Sequence, residues 1–290
     1  MAAPAKGHNQ ALAEKAYQIR RTALKMGQVQ GQGYIAQALD IADVLAVAYF
    51  HAMNYRAADP NWEQRDRFYL SIGHYAIALY AVLIEAGVLK REDIETYGGD
   101  DSALPMSGMA HYTPGMEITG GSLGHGLPIA IGACLALKRK KSASFVYNLL
   151  SDGELGEGST WEAALSGAHH KLDNLIAIVD INDQQADGPS STVLSCEPLD
   201  EKFRAFGWHV QRIDGNDIDA VAAAFDAARA HKGAQPRVII CDTLMGKGVP
   251  FLETRDKNHF IRVDADEWDK AIAALDEGFR AGADKKGAGR

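Results

Sequence analysis

The stretch from Ser151 to Gly188, SDGELGEGSTWEAALSGAHHKLDNLIAIVDINDQQADG, limits the possible folds of this chain more than any other segment. An apolar, β-forming run, Phe145 to Leu150, leads into it and stops at Ser-Asp-Gly, which reads as a buried strand ending in a tight turn. Trp161, Ala164, Leu165 and Ala168 then recur at helical spacing within Thr160 to His170. A second buried run, Leu175 to Asp180, ends in Asn182-Asp183. This is a strand–helix–strand unit with polar residues at the carboxyl end of both strands. In open α/β sheets that edge is where ligands sit.

Asp152 and Asn182 are 30 residues apart, and two parallel strands carry them to the same edge. A carboxylate, a side-chain amide oxygen and a loop carbonyl form a hard oxygen site suited to Mg²⁺ or Ca²⁺, with positions left for phosphate oxygens. Gly153 lets the backbone approach a phosphate closely. The residues therefore point to a metal-bridged diphosphate at the end of a parallel sheet.

The rest of the chain fits one large domain. Its 290 residues are 47% hydrophobic, enough for a sizeable core. We expect a loose tail over residues 1–9, a single domain over 10–279 and a second loose tail over 280–290. The net charge is −8 and the only basic run is Lys138 to Lys141, which argues against nucleic acid as a partner. No apolar run reaches the ~18 residues of a membrane span, and the start MAAPAKGHNQ lacks a signal-peptide core, so no membrane is expected. Cys134, Cys196 and Cys241 are scattered without metal spacing and suit a reducing cytoplasm.

Ala11 to Met26 reads as a helix, Gly27 to Gly33 as a Gly/Gln-rich loop, and Asp40 to Tyr49 as a buried helix. Arg65 to Ser71 is a short strand leading into Gly73-His74, and Tyr75 to Ala86 is an apolar helix. A glycine-rich segment, Gly120-Gly121-Ser122-Leu123-Gly124, precedes a helix over Leu127 to Lys138 whose amino end favours anions. Trp208 to Ile213 and Arg237 to Asp242 are strands flanking a helix over Ile218 to Ala230, and Ala265 to Phe279 is an amphipathic helix. The alternation gives an α/β fold, a doubly wound parallel sheet with helices on both faces.

Several of these motifs, in order, resemble the transketolase family. They are Ser71-Ile72-Gly73-His74, the Gly120 to Gly126 segment, Asp152-Gly153 with Asn182, the Glu157-Gly158-Ser159-Thr160-Trp161-Glu162-Ala163-Ala164 run, Asp187-Gly188, and Lys247-Gly248 followed by Asn258-His259. The likeness runs from about residue 15 to about residue 265 and is greatest to the amino-terminal half of two-component transketolases. It implies thiamine diphosphate as cofactor with Mg²⁺ or Ca²⁺, held by Asp152, Asn182 and Gln184. It implies His74, Gly121, Ser122, Leu123, Gly153, Glu154, Asn182 and His259 as cofactor-binding positions, with Leu123 keeping the cofactor bent. Among the catalytic positions it places His74 and His259 at the cofactor and Glu157 at the dimer interface.

The family's pyrimidine-binding domain, which carries the glutamate that activates the cofactor, is not within these residues. The resemblance therefore implies a partner, a carboxy-terminal transketolase subunit with that domain, in an α2β2 assembly acting on a ketose or another α-hydroxyketone. Two departures concern the substrate. Tyr34 stands where transketolases usually have the histidine of Ser-Gly-His-Pro-Gly. Gly108-Met109-Ala110 stands in place of a second Gly-His-Pro, with His111 nearby. Loss of two hydroxyl-binding histidines discriminates against an ordinary sugar donor.

Three functions compete on this sequence. One is the diphosphate-binding subunit of a transketolase transferring a two-carbon ketol unit to an aldehyde. Another is the same scaffold specialised for a non-standard α-hydroxyketone or diketone, aromatic or unphosphorylated, which Tyr34 and Met109 favour. The third is a non-catalytic regulatory subunit, against which Asp152, Asn182, His74 and His259 speak. The α subunit of a 2-oxo acid dehydrogenase shares the Asp-Gly…Asn motif but lacks the Ser-x-Gly-His and Gly-Ser-Leu-Gly segments.

Overall fold

A computed structural model describes the backbone of residues 6–287 and the side chains of residues 9–282. Seven strands occur among these residues: β1 (Gln32–Gly33), β2 (Arg67–Leu70), β3 (Val146–Ser151), β4 (Leu175–Ile181), β5 (His209–Asp214), β6 (Arg237–Asp242) and β7 (Ile261–Arg262). Five of them form one parallel sheet in the order β2-β3-β4-β6-β5.

Burial on both faces explains why the central strands are continuous apolar runs. In β4, Ile176 and Ile178 enter one core, while Leu175, Ala177 and Val179 enter the other. Each buried leucine, isoleucine or valine contributes ~1.5–3 kcal/mol by leaving water, so the sheet is held from both sides. The first core lies under helices Lys6–Gln30, Ala42–Val47, Ala76–Glu85 and Ile218–Ala230. The second lies under helices Gly126–Arg139 and Gly158–His169.

The register brings the carboxyl ends of the strands level. Ser151 pairs with Asp180, and Ile181 with Asp242. The ladder continues one residue beyond the strands, with Asp152 N donating to Asp180 O at 3.0 Å and Thr243 N to Ile181 O at 3.0 Å. Asp152 and Asn182 thus leave neighbouring strands at the same edge.

Several boundaries differ from the sequence reading. The first helix runs through Gly27 to Gln30, where a loop was expected. A Cβ on Gly27 would lie 2.5 Å from Ile35 Cδ1 and 2.8 Å from the Trp268 ring, so this glycine serves close packing rather than a turn. The buried helix expected over Asp40 to Tyr49 is instead two α segments, Ile35–Asp40 and Ala42–Val47, followed by a π-helical turn at Ala48–Ala52. Both expected tails are partly helical. The first helix starts at Lys6 and the last, Ala265–Gly287, continues past Phe279 through a stretch with no proline to stop it. Residues 1–5 and 288–290 of those tails lie outside the described residues.

A two-stranded antiparallel ribbon was not foreseen. Strands β1 and β7 pair Gln32 with Arg262 and Gly33 with Ile261. It ties the turn before Ile35 to the segment at His259, residues more than two hundred positions apart in sequence.

Candidate functional site

A cleft of about 630 Å³ opens at the carboxyl edge of the sheet. The strand ends supply Ser151, Asp152 and Gly153, and the loop after β4 supplies Gln184 to Asp187. The opposite wall is His74 and Tyr75 after β2, with Gly121 and Leu123 from the glycine-rich segment. The ribbon and the residues next to it add Gln32, Tyr34, His259 and Phe260. A separate cavity of about 430 Å³ between the first and last helices shares none of these residues.

His74 is held in place by backbone contact. A Cβ on Gly73 would sit 2.3 Å from the Gly120 carbonyl carbon, and one on Gly120 would sit 2.5 Å from Gly73 Cα. Gly108 bridges the two, its N–H donating to Gly73 O and its carbonyl accepting from Gly120 N, each at 3.0 Å. Gly120 is therefore a requirement of this packing. The Tyr34 ring then packs edge-on against His74, His259 and Phe260, with centroids 4.9, 5.5 and 5.0 Å away. Burial, with His259 alongside, pushes the His74 imidazole down to about 3, and burial also lowers His259. Both are neutral near pH 7.

Behind the cleft lies a network of buried acids. The Asn182 amide nitrogen donates to Asp180 Oδ2 at 2.8 Å, to Tyr75 Oη at 2.9 Å and to Asp40 Oδ2 at 3.1 Å. Tyr75 Oη in turn donates to Asp180 Oδ2 at 2.8 Å, and Thr243 also donates to Asp180. With its nitrogen so engaged, Asn182 turns Oδ1 the other way, where it accepts from Gln184 N at 3.1 Å. Burial raises Asp40, Asp180 and Asp152 above the usual carboxylate range, and the negative charges reinforce one another. Asp152 accepts from Gly153 N at 2.8 Å and from Ser190 Oγ at 2.6 Å.

The sequence-predicted residues divide into three groups. Tyr34, His74, Gly121, Leu123, Asp152, Gly153, Gln184 and His259 line the cleft together. Asn182 and Glu154 are not among the residues that line it; Asn182 instead bonds to two that do, Tyr75 and Gln184. Glu154 is fully buried and accepts from Ser71 Oγ and, at 2.8 Å, from Gly124 N, so it braces the glycine-rich segment instead of facing the cleft. Ser122, Glu157, Met109 and His111 do not line the cleft. Ser122 and Glu157 are exposed nearby. Met109 is 37% exposed and caps a turn, its carbonyl accepting from Tyr112 N and Thr113 N, and His111 is exposed in the same turn. Met106 and Ser107 occupy that side of the cleft instead, because the chain from Gly73 to Gly120 is drawn together at Gly108.

Sequence reasoning missed Gln37, Asp40, Asp180 and Ser190. The one available signal was charge or amide in an apolar run, as in Asp40 within Ile35 to Val47 and Asp180 at the end of β4.

Residues 12–280 match the family described as transketolase, thiamine diphosphate binding domain. The chain is 71% identical over 275 residues to a putative uncharacterized transketolase family protein of Sinorhizobium fredii, covering 95% of this chain and 99% of that one. The chain belongs to the transketolase family. It is the amino-terminal, diphosphate-binding part of that family. This transketolase-family chain is also 37% identical to one subunit of the 6-deoxy-6-sulfo-D-fructose transketolase of Clostridium sp., covering 92% of this chain and 96% of that one. It is 38% identical to one subunit of the apulose-4-phosphate transketolase of Actinobacillus succinogenes, covering 91% and 95%. Among solved structures, the transketolase of Campylobacter jejuni superposes with a TM-score of 0.83 at 28% identity, over 95% of this chain and 48% of that one. The chain thus spans about half the length of the solved transketolases it matches.

Proposed function

We propose that this chain is the diphosphate- and Mg²⁺-binding subunit of a two-chain, thiamine-diphosphate-dependent transketolase, moving a two-carbon ketol unit from a non-standard ketose to an aldehyde. The observation that carries the reading is the convergence of Asp152, Gly153, Gln184, His74 and His259 on one cleft at the strand ends.

The cleft's charge fits the cofactor only together with a metal. Its wall has Asp152 and Asp187 but no lysine or arginine, and its two histidines are neutral. A diphosphate there needs a cation for neutralisation. The oxygens of Asp152, Asn182 and the Gln184 backbone are the hard donors that Mg²⁺ or Ca²⁺ prefers. No group of three His, Cys, Asp or Glu side chains that could hold a metal occurs among the described residues, so such a site depends on amide and carbonyl oxygens. A cation beside Asp152 would also offset the cost of burying that carboxylate.

Bound thiamine diphosphate would supply the nucleophilic carbon that breaks and forms bonds next to a ketone. The chain's own residues would anchor the metal through Asp152 and Asn182, offer neutral N–H donors from His74 and His259, and support the ring system on Leu123. Glu157, exposed at the rim, is free to meet a partner chain.

Tyr34 supports the non-standard donor, since it sets an aromatic ring edge-on against both histidines where the resemblance implies a sugar-binding histidine. The relatives named for a sulfonated fructose and for apulose 4-phosphate support the same reading, and they favour a modified ketose over an aromatic ketone. The three cysteines are free, which supports a reducing, cytoplasmic setting; no helix among the described residues is long and apolar enough to cross a membrane. The test is reconstitution with the partner chain and a donor panel compared by kcat/KM: xylulose 5-phosphate, modified ketoses and aromatic α-hydroxyketones. Xylulose 5-phosphate as the best donor would refute the substrate assignment.

A further inference from the structure

Gln37 is fully buried in the helix Ile35–Asp40, one turn after Tyr34, and both side chains reach His259. Its amide nitrogen donates to the His259 backbone carbonyl at 2.7 Å and lies 3.2 Å from His259 Nδ1. The carbonyl can only accept, so the amide must present its nitrogen on this side. The flipped amide would set two acceptor oxygens 2.7 Å apart. The second amide hydrogen then faces Nδ1, which must carry a lone pair, since an Nδ1–H would oppose it. The imidazole proton is left on Nε2, the nitrogen not engaged by Gln37, while the ring lines the cleft.

We propose that Gln37 is a positioning residue that fixes His259 as the Nε2–H tautomer, so that a neutral N–H donor is presented to the cleft. A histidine free to exchange tautomers would present an acceptor part of the time, and an acceptor repels an anionic oxygen. Gln37 leaves its own Oε1 buried without a partner, a cost that is intelligible if its nitrogen is needed on the histidine. That the donor meets a phosphate oxygen rests on the function proposed above; the tautomer itself does not.

The test is long-range ¹⁵N–¹H NMR of the full chain, with His259 identified among the ten histidines by the signals lost in His259→Asn. Wild type is expected to show the Nε2–H pattern alone at neutral pH. Gln37→Met, similar in length but without a donor, is expected to show averaged tautomer signals. A wild-type Nδ1–H pattern or averaged signals would overturn the proposal, as would a folded Gln37→Met with the wild-type pattern. If Gln37→Met does not fold, the wild-type spectrum alone decides. Adding thiamine diphosphate, Mg²⁺ and the partner chain to the same sample separates the two claims. An unmoved His259 signal then counts against the cofactor role and leaves the tautomer assignment standing.

Discussion

Tyr34 sets the edge of its ring against His74, with centroids 4.9 Å apart, although one caps the helix Ile35–Asp40 and the other lies in the 3-10 turn Gly73–Tyr75. The tyrosine supplies one hydroxyl at its tip where a histidine would offer a ring nitrogen close to the backbone. Leaving a buried substrate hydroxyl unpaired costs ~1–3 kcal/mol, or roughly five- to 150-fold in affinity. Tyr34→His in the reconstituted enzyme is therefore expected to raise kcat/KM for xylulose 5-phosphate about tenfold relative to the preferred donor. An unchanged ratio on the donor panel would show that Tyr34 does not select the donor.

His74 makes stability depend on pH. Its imidazole falls from 6.5 in the unfolded chain to about 3 in the fold, mainly through burial. Below pH 6.5 the unfolded chain gains a proton that the folded chain refuses, so stability is full above that pH and declines as pH drops toward about 3. At about pH 5 the loss is on the order of 2 kcal/mol. Urea unfolding at several pH values should show this acid slope in wild type and a shallower one in His74→Gln. Equal slopes would mean that His74 is readily protonated in the fold.

Gly120→Ala tests the backbone contact behind His74. The added methyl would lie 2.5 Å from Gly73 Cα and 2.8 Å from Gly73 N, neither of which can move aside as a flexible side chain would. A loss of ~1–3 kcal/mol is expected, as for overpacking elsewhere. Gly121→Ala, two residues from the cleft's Leu123, meets nothing within 4 Å and is the control. Equal urea midpoints for the two variants would contradict the close approach.

Much of this site was legible because its parts are local. Asp152-Gly153 and Asn182 each follow an apolar run, and parallel strands in register place their ends together without further information. Tyr34 was legible as a position but its neighbours were not. The ribbon that joins it to His259 and Phe260 is two residues per strand, too short to leave a periodic signal. Met109 was expected in the pocket because a family histidine lies there, yet the shorter loop turns it outward and Met106 and Ser107 take its place. Gln37 and Ser190 escaped notice because what matters about each is a contact with one distant residue.

The orientation of Asn182 can be tested from behind. Tyr75 Oη accepts from the Asn182 nitrogen and donates to Asp180. Tyr75→Phe removes both bonds, at ~1 kcal/mol or roughly fivefold in the Mg²⁺ concentration needed for cofactor binding. An unchanged Mg²⁺ requirement would show that Asp40 and Asp180 suffice to aim the amide.

The most direct measurement is calorimetric titration of thiamine diphosphate into the chain assembled with its partner, for wild type and Asp152→Ala, with Mg²⁺ and with EDTA. Asp152 is buried at the strand end and is the one carboxylate of the expected donor set. Wild type is expected to bind in Mg²⁺ and not in EDTA, and Asp152→Ala to show no binding in either. Unchanged affinity of folded Asp152→Ala in Mg²⁺ would contradict a diphosphate held through a metal at this edge of the sheet.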